Sequence, residues 1–221
     1  MKKNNILIIA FLLFFLIIFI NADEQSSLKL NFSIGAKKYT NNTSNIIPID
    51  IDTVLKENDG IRLLFQSATD CYVYVLFYDS SKIMTLLFPD KYNYYKKNYA
   101  VKRMKYFLPD AWDWYSLDNN SGTETIYFIA STSRLTDLEK QLKKLESKKE
   151  DQVKKASNDI RNDIKALISE QLTKNYNFQE RNAIEIAGVI RAVQNDIEKY
   201  TKGLIGENLI IKSIIFKHEK K

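Results

Sequence analysis

The sequence predicts an α+β fold: mainly an antiparallel β sheet or sandwich, a C-terminal helical segment, and a terminal strand that returns to the sheet. Three observations predict it. Short runs with period-two alternation or β-branched and aromatic content recur between Leu28 and Ala130, separated by tight turns. The pattern changes near Ser131 to apolar residues spaced by three and four. A last β-rich run then lies between Asn208 and Lys217.

The first run alternates Leu28, Leu30, Phe32 and Ile34 with Lys29, Asn31, Ser33 and Gly35, a strand with one wet face. Lys37 to Ser44 is polar and reads as a loop, and Ile46 to Ile51 is short and broken by Pro48. The turn Lys56-Glu57-Asn58-Asp59-Gly60 leads into a strand over Ile61 to Gln66. Cys71 to Tyr78 is apolar or aromatic on both faces, as a central strand should be. Asp79-Ser80-Ser81-Lys82 is a hairpin turn, Ile83 to Phe88 returns, and Pro89-Asp90 stops it. Lys91 to Ala100 reads as a loop. Val101 to Leu108 is a strand ended by Pro109-Asp110, and Trp112 to Leu117 is short and aromatic. After the turn at Asp118 to Gly122, Thr123 to Ala130 closes the series.

Thr136-Asp137-Leu138-Glu139 has capping-box spacing. Leu135, Leu138, Leu142 and Leu145, then Val153, Ala156, Ile160, Ile164, Leu167 and Ile168, mark one or two helices that pack on the sheet. Tyr176 to Gln179 is a break. Ala183 to Val193 fits helix or strand, with strand favoured. The resulting division is 1–22 leader, 23–133 β-rich domain, 134–175 charged helical segment and 176–221 C-terminal segment.

The leader reads as a bacterial-type export signal. Lys2 and Lys3 precede Ile6 to Ile20, which carries no polar side chain, and Asn21-Ala22 precedes the polar Asp23-Glu24-Gln25-Ser26-Ser27. The natural cleavage point follows Ala22. Retained, the apolar stretch would be an N-terminal membrane anchor, short beside the usual requirement of about 20 residues. Either outcome places the remaining chain in the periplasm or at the cell surface.

Of 221 residues, 45% are hydrophobic and 27% charged, which is ordinary globular composition. The net charge of +6 includes the two leader lysines, and no basic run is combined with clustered arginine, so no nucleic-acid partner is expected. The single cysteine, Cys71, lies in the strongest strand and reads as a small buried hydrophobe. The single histidine, His218, reads as a solvated tail residue, and one histidine leaves no His-based triad or histidine metal cluster. No glycine-rich phosphate loop and no Gly-x-Ser-x-Gly elbow occurs. No cofactor, metal or catalytic residue is therefore expected.

The candidate binding surface is aromatic: Tyr92, Tyr94, Tyr95, Trp112, Trp114 and Tyr115, with Tyr99 and Tyr106 beside them. Aromatic faces stack on sugars and anchor protein interfaces.

Several segments occur in a characteristic order. Asn58 to Phe65 is followed by Cys71-Tyr72-Val73-Tyr74-Val75, by Leu86-Leu87-Phe88-Pro89, by Phe107-Leu108-Pro109 and by Gly122-Thr123-Glu124-Thr125 running on to Ser131. Over about Ile51 to Ser133 this order resembles bacterial domain of unknown function 4384. The resemblance implies a mainly β module of envelope or multidomain proteins and supplies no catalytic residue. The sequence departs from the family at Asp79 to Lys82, where a glycine is common, and in the length of its helical stretch from Arg134 to Lys174.

Together these features lead us to expect a non-catalytic exported module that binds an envelope protein or glycan and meets the membrane only through its N-terminal segment. Two other classes stay open. One is a glycan-cleaving enzyme using Asp113 and Glu124 within the carboxylate cluster Asp110, Asp113, Asp118 and Glu124 around Trp112 and Trp114. The other is self-association through the helices between Leu135 and Leu172.

Overall fold

The computed structural model describes residues 27–40, 43–89, 98–110, 113–147, 149–173, 178–182 and 197–220. The leader, Tyr92, Tyr94, Tyr95, Trp112 and the segment 183–193 lie outside the described residues. No helix among the described residues is long and apolar enough to cross a membrane.

Two sheets stack face to face, and helices cover the outer face of one of them. Sheet A runs β11 (Gln179–Asn182), β12 (Lys202–Gly206), β1 (Leu28–Thr40), β4 (Gly60–Ser67) and β8 (Lys105–Leu108). The short strands β2 (Thr43–Pro48) and β9 (Tyr115–Ser116) pair with β1 and β4. Sheet B runs β3 (Val54–Lys56), β13 (Leu209–Glu219), β10 (Gly122–Ser131), β5 (Cys71–Tyr78) and β6 (Met84–Phe88), and β7 (Tyr99–Ala100) pairs with β5. All described pairings are antiparallel except β3 with β13.

The alternation in β5 has a direct structural cause. Cys71, Val73 and Val75 face sheet A in a core shared with Leu28, Leu30 and Phe32 of β1 and with Phe128 of β10. Tyr74, Leu76 and Tyr78 point the other way and pack under the helices. A strand buried on both faces needs apolar residues at every position, which is what the sequence provides. Cys71 is fully buried and burial pushes its thiol up, as expected of a structural cysteine.

Two helices form the third layer: α1 (Thr136–Leu142), extended by a 3₁₀ turn over Lys143–Glu146, and α2 (Glu150–Thr173). Leu142, Leu145, Ala156, Ile160 and Ile164 bury against Tyr74, Leu76, Tyr127, Ile129 and Ile211. Spacings of three and four along the helices meet spacings of two along the strands, so both stripes face one seam.

A hydrogen-bonded group at the start of α1 fixes it to sheet B. The Tyr74 hydroxyl donates to Glu139 Oε1 at 2.7 Å and accepts the Leu135 N–H at 3.1 Å. Arg134 pairs with the Glu139 carboxylate, and Asn98 Nδ2 donates to it at 3.3 Å. The expected capping box does not form. Leu135 is the N-cap, without a side-chain bond, and Glu139 turns to the buried tyrosine instead. A buried carboxylate with an arginine and two donors outcompetes a solvent-exposed cap.

Four further expectations are corrected. The polar stretch Lys37 to Ser44 is not a loop; it continues β1 to Thr40 and begins β2 at Thr43, a hairpin whose exposed position lets polar residues remain in strand. The strand expected over Val101 to Leu108 is confined to Lys105–Leu108, because Arg103 has φ 68°, incompatible with a strand. The loop expected over Lys91 to Ala100 includes the two-residue strand β7 at its end, where Cys71 and Tyr72 supply pairing partners. His218 is not a solvated tail residue. It lies on β13 at 2% exposure, because β13 runs on to Glu219 and His218 shares the inward face with Ile214 and Phe216.

Candidate functional site

Strand β13 positions the site through a gap in its pairing. On one side it is paired with β10 from Leu209 opposite Ser131 to His218 opposite Gly122, all of the strand but its last residue. On the other side, among the described residues, β3 pairs with Lys217, His218 and Glu219 and no other strand pairs with β13. In a strand, the N–H and C=O of one residue point to the same side, and the side alternates along the chain. Two hydrogen bonds fix the phase. Lys217 N–H donates to Thr53 O at 2.9 Å, away from β10. Ile211 N–H donates to Gln171 Oε1 at 2.9 Å, and Gln171 Nε2 donates back to Ile211 O at 3.2 Å. Residues 211, 213, 215 and 217 therefore turn their backbone groups away from β10.

Gln171 occupies this edge at one end and β3 at the other. Between them lie Ser213 and Ile215. No described residue forms a backbone hydrogen bond with the outward groups of either. Alongside runs a groove of about 520 Å³ that enters between the sheets. Phe32 and Ile34 of β1, Ile49, and Ile214 and Ile215 of β13 form its apolar surface, and Ile51 is exposed by 69% beside it. Its rim is charged. Glu180 of β11 takes Lys202 at 3.2 Å and also pairs with Lys212, and Asp50 lies on the wall that leads into β3. The two lysines hold the Glu180 carboxyl below its usual range against the opposing effect of burial.

Gly35 of β1 has a steric cause. A Cβ at Gly35 would sit 2.6 Å from Ile197 Cγ2. Only a glycine lets Ile197 approach so closely that its carbonyl accepts the Ser33 hydroxyl.

The described members of the aromatic set do not form one exposed platform. Trp114 is half-buried over Gly60, where a Cβ would come within 2.8 Å of its own Cβ. Tyr115 is half-buried against the inter-sheet core. Tyr106 stacks on Phe65, with ring centroids 4.8 Å apart and planes 6° apart, and its hydroxyl accepts the Val101 N–H. Tyr99 is exposed by 42% and meets Tyr72 edge to face. Tyr115 also lines a smaller pocket of about 210 Å³ with Ile61, Leu63, Phe77, Leu87 and Ile126.

The carboxylates separate in the same way. Asp110, Asp113 and Asp118 are exposed, whereas Glu124 is 2% exposed on the inner face of β10. Glu124 Oε2 accepts the Ser80 N–H at 3.1 Å, and Oε1 lies 3.5 Å from His218 Nδ1. Asp118 Oδ1 lies 4.0 Å from the same nitrogen. Burial, together with the charges of Asp79 and Asp118, pushes the Glu124 carboxyl up to about 7 despite its bonds to Ser80. Neither imidazole nitrogen of His218 forms a hydrogen bond among the described residues. A raised carboxyl beside an imidazole is the chemistry of a general acid, but proton transfer to a substrate also requires access. Among the described residues no group of three or more His, Cys, Asp or Glu side chains is arranged to hold a metal ion.

Sequence reasoning missed the β13 edge. The signal that could have found His218 was its parity: Ile214, Phe216 and His218 share one face of a period-two run. Nothing comparable marks an unpaired edge, since pairing depends on where other strands lie.

The architecture is thus a two-sheet sandwich with a helical cover, a mainly β module of the α+β class. The family model for a domain of unknown function (DUF4384) matches residues 54–134, from β3 to just beyond β10, and over that stretch the chain resembles the family. No curated protein and no solved structure matches the chain. The matched stretch does not contain β1 or β13, yet β1 lies between β12 and β4, and β13 lies between β3 and β10. Most of the groove surface comes from these two strands and from Ile49 and Ile51, outside the matched stretch.

Proposed function

We propose that the protein is a non-catalytic exported module of the bacterial envelope or cell surface that binds a protein or an envelope polymer. Export rests on the leader pattern, with its positive start and its apolar run from Ile6 to Ile20. Binding rests on one observation, the groove beside β13. Apolar surface gathered in a concavity and bordered by charge is the usual form of a recognition site.

Co-sedimentation of the purified protein with a bacterial envelope preparation tests this reading. The protein should pellet with the envelope material, and Ile51→Lys combined with Ile215→Lys should release it while circular dichroism stays that of the parent. Failure of the parent protein to pellet overturns the reading. Pelleting that the double variant leaves unchanged removes the groove from it.

One observation favours the rival of glycan cleavage, the raised carboxyl of Glu124. Its 2% exposure opposes a direct role. Incubation with peptidoglycan followed by chromatography of soluble fragments decides: release that Glu124→Gln abolishes would establish the enzyme, and no release would dismiss it.

A further inference from the structure

We infer that the gap on β13 between Gln171 and β3 is a strand-addition site for an extended peptide. The inference rests on the binding-module reading above and names its partner class. Ser213 and Ile215 each turn one N–H and one C=O to an edge that no described residue pairs, so two donors and two acceptors recur in the order an adjacent strand requires. Neighbouring residues of the same edge already have such partners. The amide of Gln171 reproduces a backbone donor and acceptor at Ile211, and Thr53 accepts from Lys217. Edge groups left open next to an apolar groove are a template for β-augmentation, in which main-chain bonds supply affinity and alternate side chains supply specificity.

The groove specifies the side chains. Alternate residues of the added strand point between the sheets, toward Phe32 and Ile34, and should be aliphatic. Charge specifies the ends. Lys202 and Lys212 share one carboxylate, Glu180, leaving that end positive, while Asp50 stands at the end nearer β3. An acidic residue at one end of the peptide and a basic residue at the other complement this rim. A sugar polymer offers hydroxyls but no strand-spaced amides, so a peptide fits the edge better.

The probe is a fluorescent seven-residue peptide alternating valine and serine, with glutamate at one end and lysine at the other, titrated with the full chain and read by anisotropy. Saturable binding is expected. The same peptide N-methylated on alternate amides should lose it in whichever phase removes the edge-facing donors. Ser213→Pro removes one edge N–H without touching the bonds to β10 and should weaken binding about tenfold, whereas Ser213→Ala should change it by no more than about twofold. The methylated peptides keep the test independent of whether the proline variant folds. Absence of binding while the protein still pellets with envelope material overturns strand addition and leaves the module reading standing. Equal binding of every methylated peptide overturns it too. A dimer in light scattering that Ser213→Pro dissolves would show a second copy of this chain on the edge and overturn the peptide partner.

Discussion

Gln171 and Ile211 form a two-bond pair, side-chain amide against backbone, at 2.9 and 3.2 Å. Gln171 is 3% exposed although it lies in the last turn of a helix with a largely polar surface. It therefore does two things: it fastens the end of α2 to sheet B, and it closes the β13 edge at one residue. Gln171→Ala leaves a buried N–H and C=O at Ile211 without their partner. We expect a loss of about 1–3 kcal/mol in urea unfolding. An unchanged midpoint would mean that water serves Ile211 equally well.

The Tyr74 hydroxyl stands at the other helical junction. Tyr74→Phe removes a donor from Glu139 and an acceptor from Leu135 in a buried setting, and should cost about 1–3 kcal/mol in the same measurement. Lys140→Ala breaks only the exposed pair with Asp137, whose side chains are 75% and 88% accessible, and should stay within about 0.5 kcal/mol. Similar losses for both variants would contradict the burial of the first.

Each of the two cores should matter separately. Phe128 packs between the sheets against Phe32, with ring centroids 5.3 Å apart, and Ile160 packs between α2 and sheet B. Phe128→Ala should cost about 3–5 kcal/mol and Ile160→Ala about 2–5 kcal/mol, the range for cavities at fully buried positions. Thermal or urea unfolding of each variant checks both. A cost under about 1 kcal/mol for Ile160→Ala would mean that the helices are not a packed layer.

Glu124 gives stability a pH dependence of fixed sign. Its folded value, about 7, lies above that of an ordinary glutamate. The folded protein therefore holds a proton that the unfolded chain releases, and this contribution is fully present below about pH 4 and lost as pH rises through 7. Glu124→Gln retains a carbonyl for the Ser80 N–H and has no proton to lose. Melting temperatures of parent and variant should lie together near pH 4 and diverge progressively up to about pH 7, with the variant higher at pH 8. A parent protein that gains on the variant as pH rises would contradict the assignment and point to a carboxylate held by His218, 3.5 Å away.

How much of this was legible depended on whether the information was local. The strands β1, β4, β5 and β10 announce themselves because buried faces call for apolar residues, at alternate positions in β1 and at nearly every position in β5. The helical stripe over Leu135 to Ile168 is equally direct. Strand β12 was not found, because Lys202-Gly203-Leu204-Ile205-Gly206 includes two glycines and belongs to a strand only through its pairing with β1. The cap at Thr136 was misread because Glu139 has a stronger partner far away in sequence, Tyr74. For the site, the aromatic residues stood out in composition, but of the described ones Tyr106, Trp114 and Tyr115 are half-buried and only Tyr99 is exposed, since aromatic content marks burial as readily as binding. The open edge has no composition at all.

Residue-resolved amide hydrogen exchange along β13 tests the gap most directly. The amides of Lys212, Ile214 and Phe216 face β10, that of Ile211 faces Gln171 and that of Lys217 faces Thr53. All five should exchange slowly, and Ser213 and Ile215 should exchange much faster, with protection returning when the peptide is added. Protection of Ser213 and Ile215 equal to that of Ile214 in the protein alone would show the edge already paired and would contradict the account.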